Sequence, residues 1–459
     1  MCVMGWIQVA HLARIFHWTD REFSIWCVCG DGVCAGLQLF QAALGQRLNA
    51  RSHDRAQHVP QLDCQSKQEQ LVNDAPLSEQ IQIAGAGPAG LAAAITLARA
   101  GRQVLVHELQ PDVGHRFKRD FQGLESWSTS HDALDQLREI GISTDFTAQP
   151  FARGIAFDAW DQRYDIAGKK TLFYLVERGP GAGTLDSALL AQARALGVEV
   201  RFNSRLERVL GPGVLAAGPK AADAIAVGYH FETSMPDGFW AILDDALAPQ
   251  GYAYLLVMAG RGTVKSCMFA DFKQEQLYVR RTVAAFERLT GLDMVNPVAH
   301  GGVGNFRIPA AAGSDMHPVV GEEAGFQDFL WGFGMGYAIH SGVLAARSLL
   351  GSGDYNRLWR RELEPQMSNS LVNRALFGLL GNRGYRWILQ RNQNKGWDAH
   401  RVLHGLYQPW PVKRLLLPWA RMRFTSRRRD VSCNHIDCAC IWCRHGAHET
   451  TGTATACGH

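Results

Sequence analysis

Apolar and polar positions first fall into a regular order near Ile81. From Ile81 to Glu108 they predict a strand, a glycine turn, an Ala/Leu-rich helix and a second strand, which is a βαβ unit. Residues 172–203 repeat the theme with a strand, a turn holding Gly179, Gly181 and Gly183, a helix from Leu185 to Leu196 and another strand. Between about 225 and 272 the pattern changes to alternating stretches such as Tyr252-Ala253-Tyr254-Leu255-Leu256-Val257, which suit antiparallel strands. A helix is expected from Gln274 to Leu289, then a Gly-rich stretch from His300 to Gly336, then a helix to about Leu350. This order predicts an α/β fold in which a Rossmann-like cofactor domain, residues 77–220 and 300–350, is interrupted by an antiparallel-sheet substrate domain, residues 221–299.

Both ends of the chain read differently. Residues 50–79 are polar and rich in Gln, Asp and Ser, so residues 1–76 are expected to be an N-terminal extension with a polar linker; an upstream misassigned start and a genuine appendage account for it equally well. Residues 351–430 predict a helical C-terminal extension. Within it, Tyr385 to Arg429 holds eleven Arg and Lys against one acid, Asp398, with Trp387, Trp397, Trp410 and Trp419 interleaved. That composition suits peripheral contact with an anionic membrane and equally a solvated basic face packed by tryptophans.

The chain as a whole is 459 residues, 47% hydrophobic, with a formal net charge of +4. So mild a charge argues against a nucleic-acid partner. His11, Arg14, Asp20 and Arg21 interrupt any secretory signal, and Asp31 breaks the later apolar run, so the reading is cytoplasmic, with the membrane surface as the other candidate location. The eleven cysteines are clustered, which points to metal or redox chemistry in a reducing compartment rather than to a disulfide framework.

Chemistry concentrates first at Gly85-Ala86-Gly87-Pro88-Ala89-Gly90, between the first strand and its helix. Gly85 permits the tight turn, Gly87 lets backbone approach a pyrophosphate, Gly90 lets helix and strand pack closely, and the helix N-terminus attracts phosphate. Some two dozen residues on, the next strand ends at Glu108, where a carboxylate can accept from ribose hydroxyls. Together these predict dinucleotide binding.

A second motif, Val320-Gly321-Glu322-Glu323-Ala324-Gly325 followed by Gly332, Gly334, Ala338 and Gly342, resembles the GDAAG…GxG…A..SG segment of FAD-dependent oxidoreductases with the para-hydroxybenzoate hydroxylase fold. The resemblance covers about residues 80–350. It implies a three-layer ββα FAD-binding domain, with FAD held by both motifs and the acidic residue on the ribitol chain; here Glu322 stands for the usual Asp. Arg178 with Asp186 and Leu189 resembles the R…D..L element of the same superfamily. Pro249-Gln250-Gly251-Tyr252-Ala253-Tyr254 looks like the PxxYxW signature of geranylgeranyl reductase-type flavoproteins, with Tyr254 in place of Trp. Taken alone, Tyr252 and Tyr254 also suit core-facing strand positions. Where aromatic hydroxylases carry a DG motif serving FAD and NADPH, the chain has Ala217-Gly218-Pro219, which argues against direct NADPH reduction and against a hydroxylase.

The resemblance implies reduction of an alkene in an isoprenoid or other apolar substrate, with Tyr252 and Tyr254 lining the cavity. Competing readings are an FAD monooxygenase or dehydrogenase of a small molecule, and a flavin electron-transfer module. The donor candidates are NADPH, a ferredoxin-like protein or another electron donor. Cys433, Cys438, Cys440 and Cys443 can close a zinc site or hold an iron–sulfur cluster, and the second would give electrons a route to the flavin. Cys267 reads as a small core residue.

Overall fold

The computed structural model describes residues 80–206, 208–219, 222–393 and 397–424. The chain divides into units Met1–Ala75 and Pro76–His459, and every described residue belongs to the second. Its first elements are β1 (Gln80–Ala84), α1 (Pro88–Arg99) and β2 (Gln103–His107). There follow β3 (Phe121–Glu125), α2 (Ala133–Glu139), β4 (Ala148–Phe151), β5 (Arg153–Asp158), β6 (Arg163–Ala167), β7 (Phe173–Glu177), α3 (Leu185–Ala195), β8 (Glu199–Arg201) and β9 (Gly213–Leu215). The large strands β10 (Ala224–Glu232), β11 (Gly238–Leu243), β12 (Tyr252–Met258) and β13 (Arg261–Met268) precede α4 (Glu275–Thr290) and β14 (Val295–Gly304). Helices close the chain: α5 (Gly321–Ala324), α6 (Met335–Leu349), α7 (Tyr355–Glu362), α8 (Glu364–Gln393), α9 (Ala399–Tyr407) and α10 (Pro411–Arg423).

Three sheets result. A parallel sheet runs β8-β2-β1-β9, a seven-stranded sheet runs β14-β10-β13-β12-β11-β5-β6, and a small antiparallel sheet runs β3-β7-β4. The parallel sheet buries Ile81, Ile83, Val104 and Val106 with Leu91, Ile95 and Leu97 of α1. Small residues let α1 lie against α6: a Cβ on Gly342 would come within 2.1 Å of the Ala89 carbonyl oxygen. On the seven-stranded sheet, Val264, Leu255 and Phe231 join the buried Phe286 of α4, which Gly291 terminates in the left-handed conformation at φ 67°.

The sheets divide differently from the expected domains. β5 pairs in parallel with β11 and β6 extends that edge, so residues 153–167 join the seven-stranded sheet rather than the cofactor domain. β14 also pairs with β10 beyond residue 299, from Ala299 to Gly304. Strand partners far apart in sequence leave no local signal of which sheet a strand joins. The C-terminal region is helical, and α8 breaks at Gly381, whose φ of 56° lies outside helical space. Its basic residues are partly absorbed by the body: Arg386 pairs with buried Asp158 at 2.7 Å and lies 3.8 Å from the Trp160 ring centre.

Candidate active site

The glycine loop takes the shape its sequence demands. Gly85 adopts φ +104°, and a Cβ there would meet the Ala216 carbonyl oxygen at 2.2 Å, so only glycine turns the chain at this point. A Cβ on Gly90 would lie 2.0 Å from the Gly85 oxygen, which makes Gly90 a packing residue. Gly87 is different: nothing lies within 4 Å of its Cβ position, and it opens α1 with Pro88 following and no side-chain cap. The unpartnered N–H groups of that first turn are those a phosphate would accept. Glu108 closes the loop from below, accepting from Ala86 N–H at 2.7 Å and Gln110 N–H at 2.9 Å.

Across the cavity the second motif divides its labour in the same way. Gly321 sits at φ +59°, its N–H donating at 2.9 Å to the hydroxyl of Ser341, which donates in turn to the Ala338 oxygen at 2.8 Å. Gly325 ends α5 at φ +85° against Arg307. Gly321, Gly325 and Gly90 therefore shape the backbone, and none of them lines the cavity. Glu322 does, and it pairs with Arg116 at 3.2 Å; burial raises its carboxyl pKa against the opposing pull of that guanidinium. Glu323 accepts from Ala217 N–H at 2.6 Å, tying α5 to the segment that lacks the DG aspartate. Gly332 and Gly334 lead into the uncapped N-terminus of α6 at the cavity wall.

These elements enclose one cavity of about 1,600 Å³. One end holds Gly85, Gly87, Pro88, Ala89 and Glu108, and the middle holds Gly332, Phe333 and Gly334 beside Tyr252, Tyr254 and Lys265. The wall from the C-terminal helices is mostly apolar, with Leu376, Phe377, Leu380 and Ile388 of α8 and Leu403 and Leu406 of α9, joined by Asn373 and Asn392 of α8. Tyr252 donates its hydroxyl to the Trp331 carbonyl oxygen, and burial keeps the phenols of Tyr252 and Tyr254 well above the usual range. Cys267, expected as a plain core residue, is buried but also faces the cavity, and burial pushes its thiol up to about 11. Arg178 lines the cavity while its guanidinium is committed to Asp186 at 2.8 and 2.9 Å.

The structure adds a cluster that pattern reading missed. Lys265 of β13 donates to Asp120 at 2.6 Å and lies 3.1 Å from His300 Nδ1 of β14, while His230 Nε2 of β10 stands 2.9 Å from the other Asp120 oxygen. The sequence signal is a lysine and two histidines in three strands of mixed composition, and their convergence depends on pairing across β14-β10-β13.

Residues 83–125 match the family model of the NAD(P)-binding Rossmann-like domain. The digeranylgeranylglycerophospholipid reductase of Haloferax volcanii is 23% identical over 394 residues, covering 70% of this chain and 89% of that protein. Among solved structures, a geranylgeranyl bacteriochlorophyll reductase-like protein from Thermoplasma acidophilum superposes with a TM-score of 0.58 at 18% identity, covering 74% of this chain and 99% of that one. The chain has the geranylgeranyl reductase-like fold. A flavoprotein/dehydrogenase from Cytophaga hutchinsonii is also similar, at TM-score 0.51 and 15% identity, covering 75% of this chain and all of that one.

In this reductase-like fold the residues suit FAD on their own chemistry: a phosphate-ready helix start at Gly87, a carboxylate at Glu108 and a second uncapped helix start beyond Gly334. Replacing Glu108 by alanine strands the Ala86 N–H, and FAD affinity is expected to fall about tenfold, read by quenching of flavin fluorescence. The cysteines at 433, 438, 440 and 443, with their zinc or iron–sulfur reading, lie outside the described residues.

Proposed function

We propose that the chain is an FAD-dependent oxidoreductase that reduces an alkene of an isoprenoid or similarly apolar substrate. The supporting observation is the single cavity that joins the dinucleotide-type loop to an apolar chamber between α8, α9 and the seven-stranded sheet. Its volume of about 1,600 Å³ exceeds the roughly 300–1,000 Å³ of an ordinary single-ligand pocket, which leaves room for a cofactor and a long substrate together. The Haloferax relative is named for a geranylgeranylated lipid, and the chamber's Leu, Ile and Phe lining suits such a chain. A cavity of this size also argues against a pure electron-transfer module.

FAD, when bound, supplies the hydride-transferring ring. The protein's own contribution begins with Gly87 and the start of α1, which hold the phosphates, and Glu108, which orders the glycine loop. Tyr252, fixed by its bond to the Trp331 oxygen and T-stacked on the Trp331 ring at 5.5 Å between centroids, stays neutral and shapes the chamber wall. The leucines and aromatics of α8 and α9 exclude water from the alkene.

The reading extends to a membrane surface. α8 carries exposed Leu379 and Trp387 on the same helix whose Leu380 and Ile388 line the chamber, and Trp410, Leu415 and Met422 are exposed further on, with Lys413, Arg414, Arg421 and Arg423 among them. That mixture suits a peripheral contact that admits a lipid substrate. No helix among the described residues is long and apolar enough to cross a membrane. The protein is expected to float with anionic liposomes at low salt, and Leu415→Glu with Trp387→Glu to sediment; flotation unchanged by the pair would remove the surface from the argument.

The enzymatic reading is tested by reducing the FAD-loaded protein with dithionite without oxygen and adding a geranylgeranylated glycerol diether phospholipid. Flavin reoxidation with gain of two hydrogens per double bond is expected. Reoxidation only by oxygen, with NADPH consumed in step, would instead mark a monooxygenase.

A further inference from the structure

Hydride reduction of an alkene also needs a proton, and the helices that wall the chamber supply no acid to its lining. We propose that Lys265 delivers that proton, with His230 and Asp120 forming the route by which it is replaced from solvent; this rests on the reductase reading above. Asp120 and Lys265 both line the cavity, and both side chains are 2% exposed. Among the described residues of the sheet wall, the other groups able to titrate are Cys267, Tyr252 and Tyr254, and burial raises the pKa of each, so each gives up its proton less readily than it would in water. The remaining charged lining groups, such as Glu108, Arg178 and Glu322, come from the glycine-loop and α5 end of the cavity.

The cluster links the cavity-facing Lys265 through Asp120 to the partly exposed His230. Lys265 Nζ is 2.6 Å from one Asp120 oxygen, and His230 Nε2 is 2.9 Å from the other with its side chain 17% exposed. Burial and the neighbouring Lys265 push the His300 imidazole down to about 3, so it is neutral. Its Nδ1 then accepts from Lys265, and its Nε2–H donates to the Arg116 oxygen at 3.1 Å. His300 is thus a positioning residue that aims the amine. Burial opposes the charge of Asp120, but Lys265 and His230 together hold its carboxyl well below the usual range. By distance alone Asp120, His230 and His300 also form a metal-ligand grouping, their ligand atoms all within 4.8 Å. Lys265 Nζ stands against two members of that grouping, Asp120 and His300.

With FAD bound and reduced, the cofactor would supply a hydride to one alkene carbon and be oxidised by two electrons, and Lys265 would give its proton to the other carbon. The π bond would be replaced by two C–H bonds, and the neutral Lys265 would be reprotonated from solvent through His230 and Asp120.

The test uses the dithionite-reduced holoprotein and the diether lipid in vesicles. Lys265→Met is expected to keep its FAD content and lipid affinity while flavin reoxidation by the lipid slows by about 10²–10⁴-fold, the usual worth of a positioned acid. Lys265→Arg keeps the charge beside Asp120 but does not release a proton, so it should not rescue the rate. Rescue by arginine, or loss of FAD from both variants, would mean a structural lysine and overturn the proposal. His230→Gln is expected to slow repeated turnover. Should the unsubstituted protein be reoxidised and Lys265→Met match it, the relay alone fails. If the lipid never reoxidises the unsubstituted protein, the reductase reading fails and takes the relay with it.

Discussion

Gly85→Ala is expected to yield a folded protein that has lost its FAD. Alanine must adopt φ +104° and place its Cβ 2.2 Å from the Ala216 carbonyl oxygen, a backbone atom of β9's end that cannot move without shifting the sheet. Left-handed strain of this kind costs about 1–3 kcal/mol before the clash is counted. The loop relieves both by moving away from the helix start that receives the phosphates, so FAD affinity should fall at least about 100-fold, equivalent to roughly 2.7 kcal/mol. Titration with FAD measures it, and circular dichroism should show the α/β fold retained. Gly87→Ala is the control. Its Cβ enters open space, so thermal stability should stay near that of the unsubstituted protein while FAD binding suffers from the methyl group at the phosphate site. Equal FAD affinity in Gly85→Ala and the unsubstituted protein would refute the assignment of this loop.

Asp186→Ala should be strongly destabilising. The carboxylate accepts from Arg178 Nε at 2.8 Å, from Arg178 Nη2 at 2.9 Å and from the Gly179 N–H at 2.8 Å, and the two side chains are 1% and 6% exposed. Removing it leaves a buried guanidinium whose remaining contacts are Gln122 at 2.8 Å and the face of Phe117 at 4.1 Å. Breaking a buried pair on one side costs about 3–5 kcal/mol, a large share of the roughly 5–15 kcal/mol that holds a protein folded. Urea unfolding measures the loss. The double change Arg178→Met with Asp186→Leu should recover most of it, because no uncompensated charge remains. A single variant as stable as the parent would show that water reaches the pair.

The glycines illustrate how much function a sequence can state. Spacing gives Gly85, Gly87 and Gly90 three separate tasks; the backbone shows the positive φ at Gly85, the close packing at Gly90 and open space at Gly87. The glycine loop and the carboxylate that follows it are readable in sequence because a local turn and a helix start make that part of the site. Arg178 was legible as part of an element but not as the partner of Asp186 eight residues on, since turn geometry brings them together.

What the sequence determined by itself was therefore local: the βαβ start, the helix expected at 274–289 and found at 275–290, the alternation around Tyr252 to Val257, and the two glycine motifs. Each follows from hydrogen bonding and sterics between residues near in the chain. Only the tertiary structure decided which sheet β5, β6 and β14 join, that Cys267 faces a cavity, that α8 and α9 complete an apolar chamber, and that Asp120, His230, Lys265 and His300 meet. Those facts depend on strand pairing and on burial of side chains far apart in sequence, and the free energy of such contacts exists only once the chain has closed on itself.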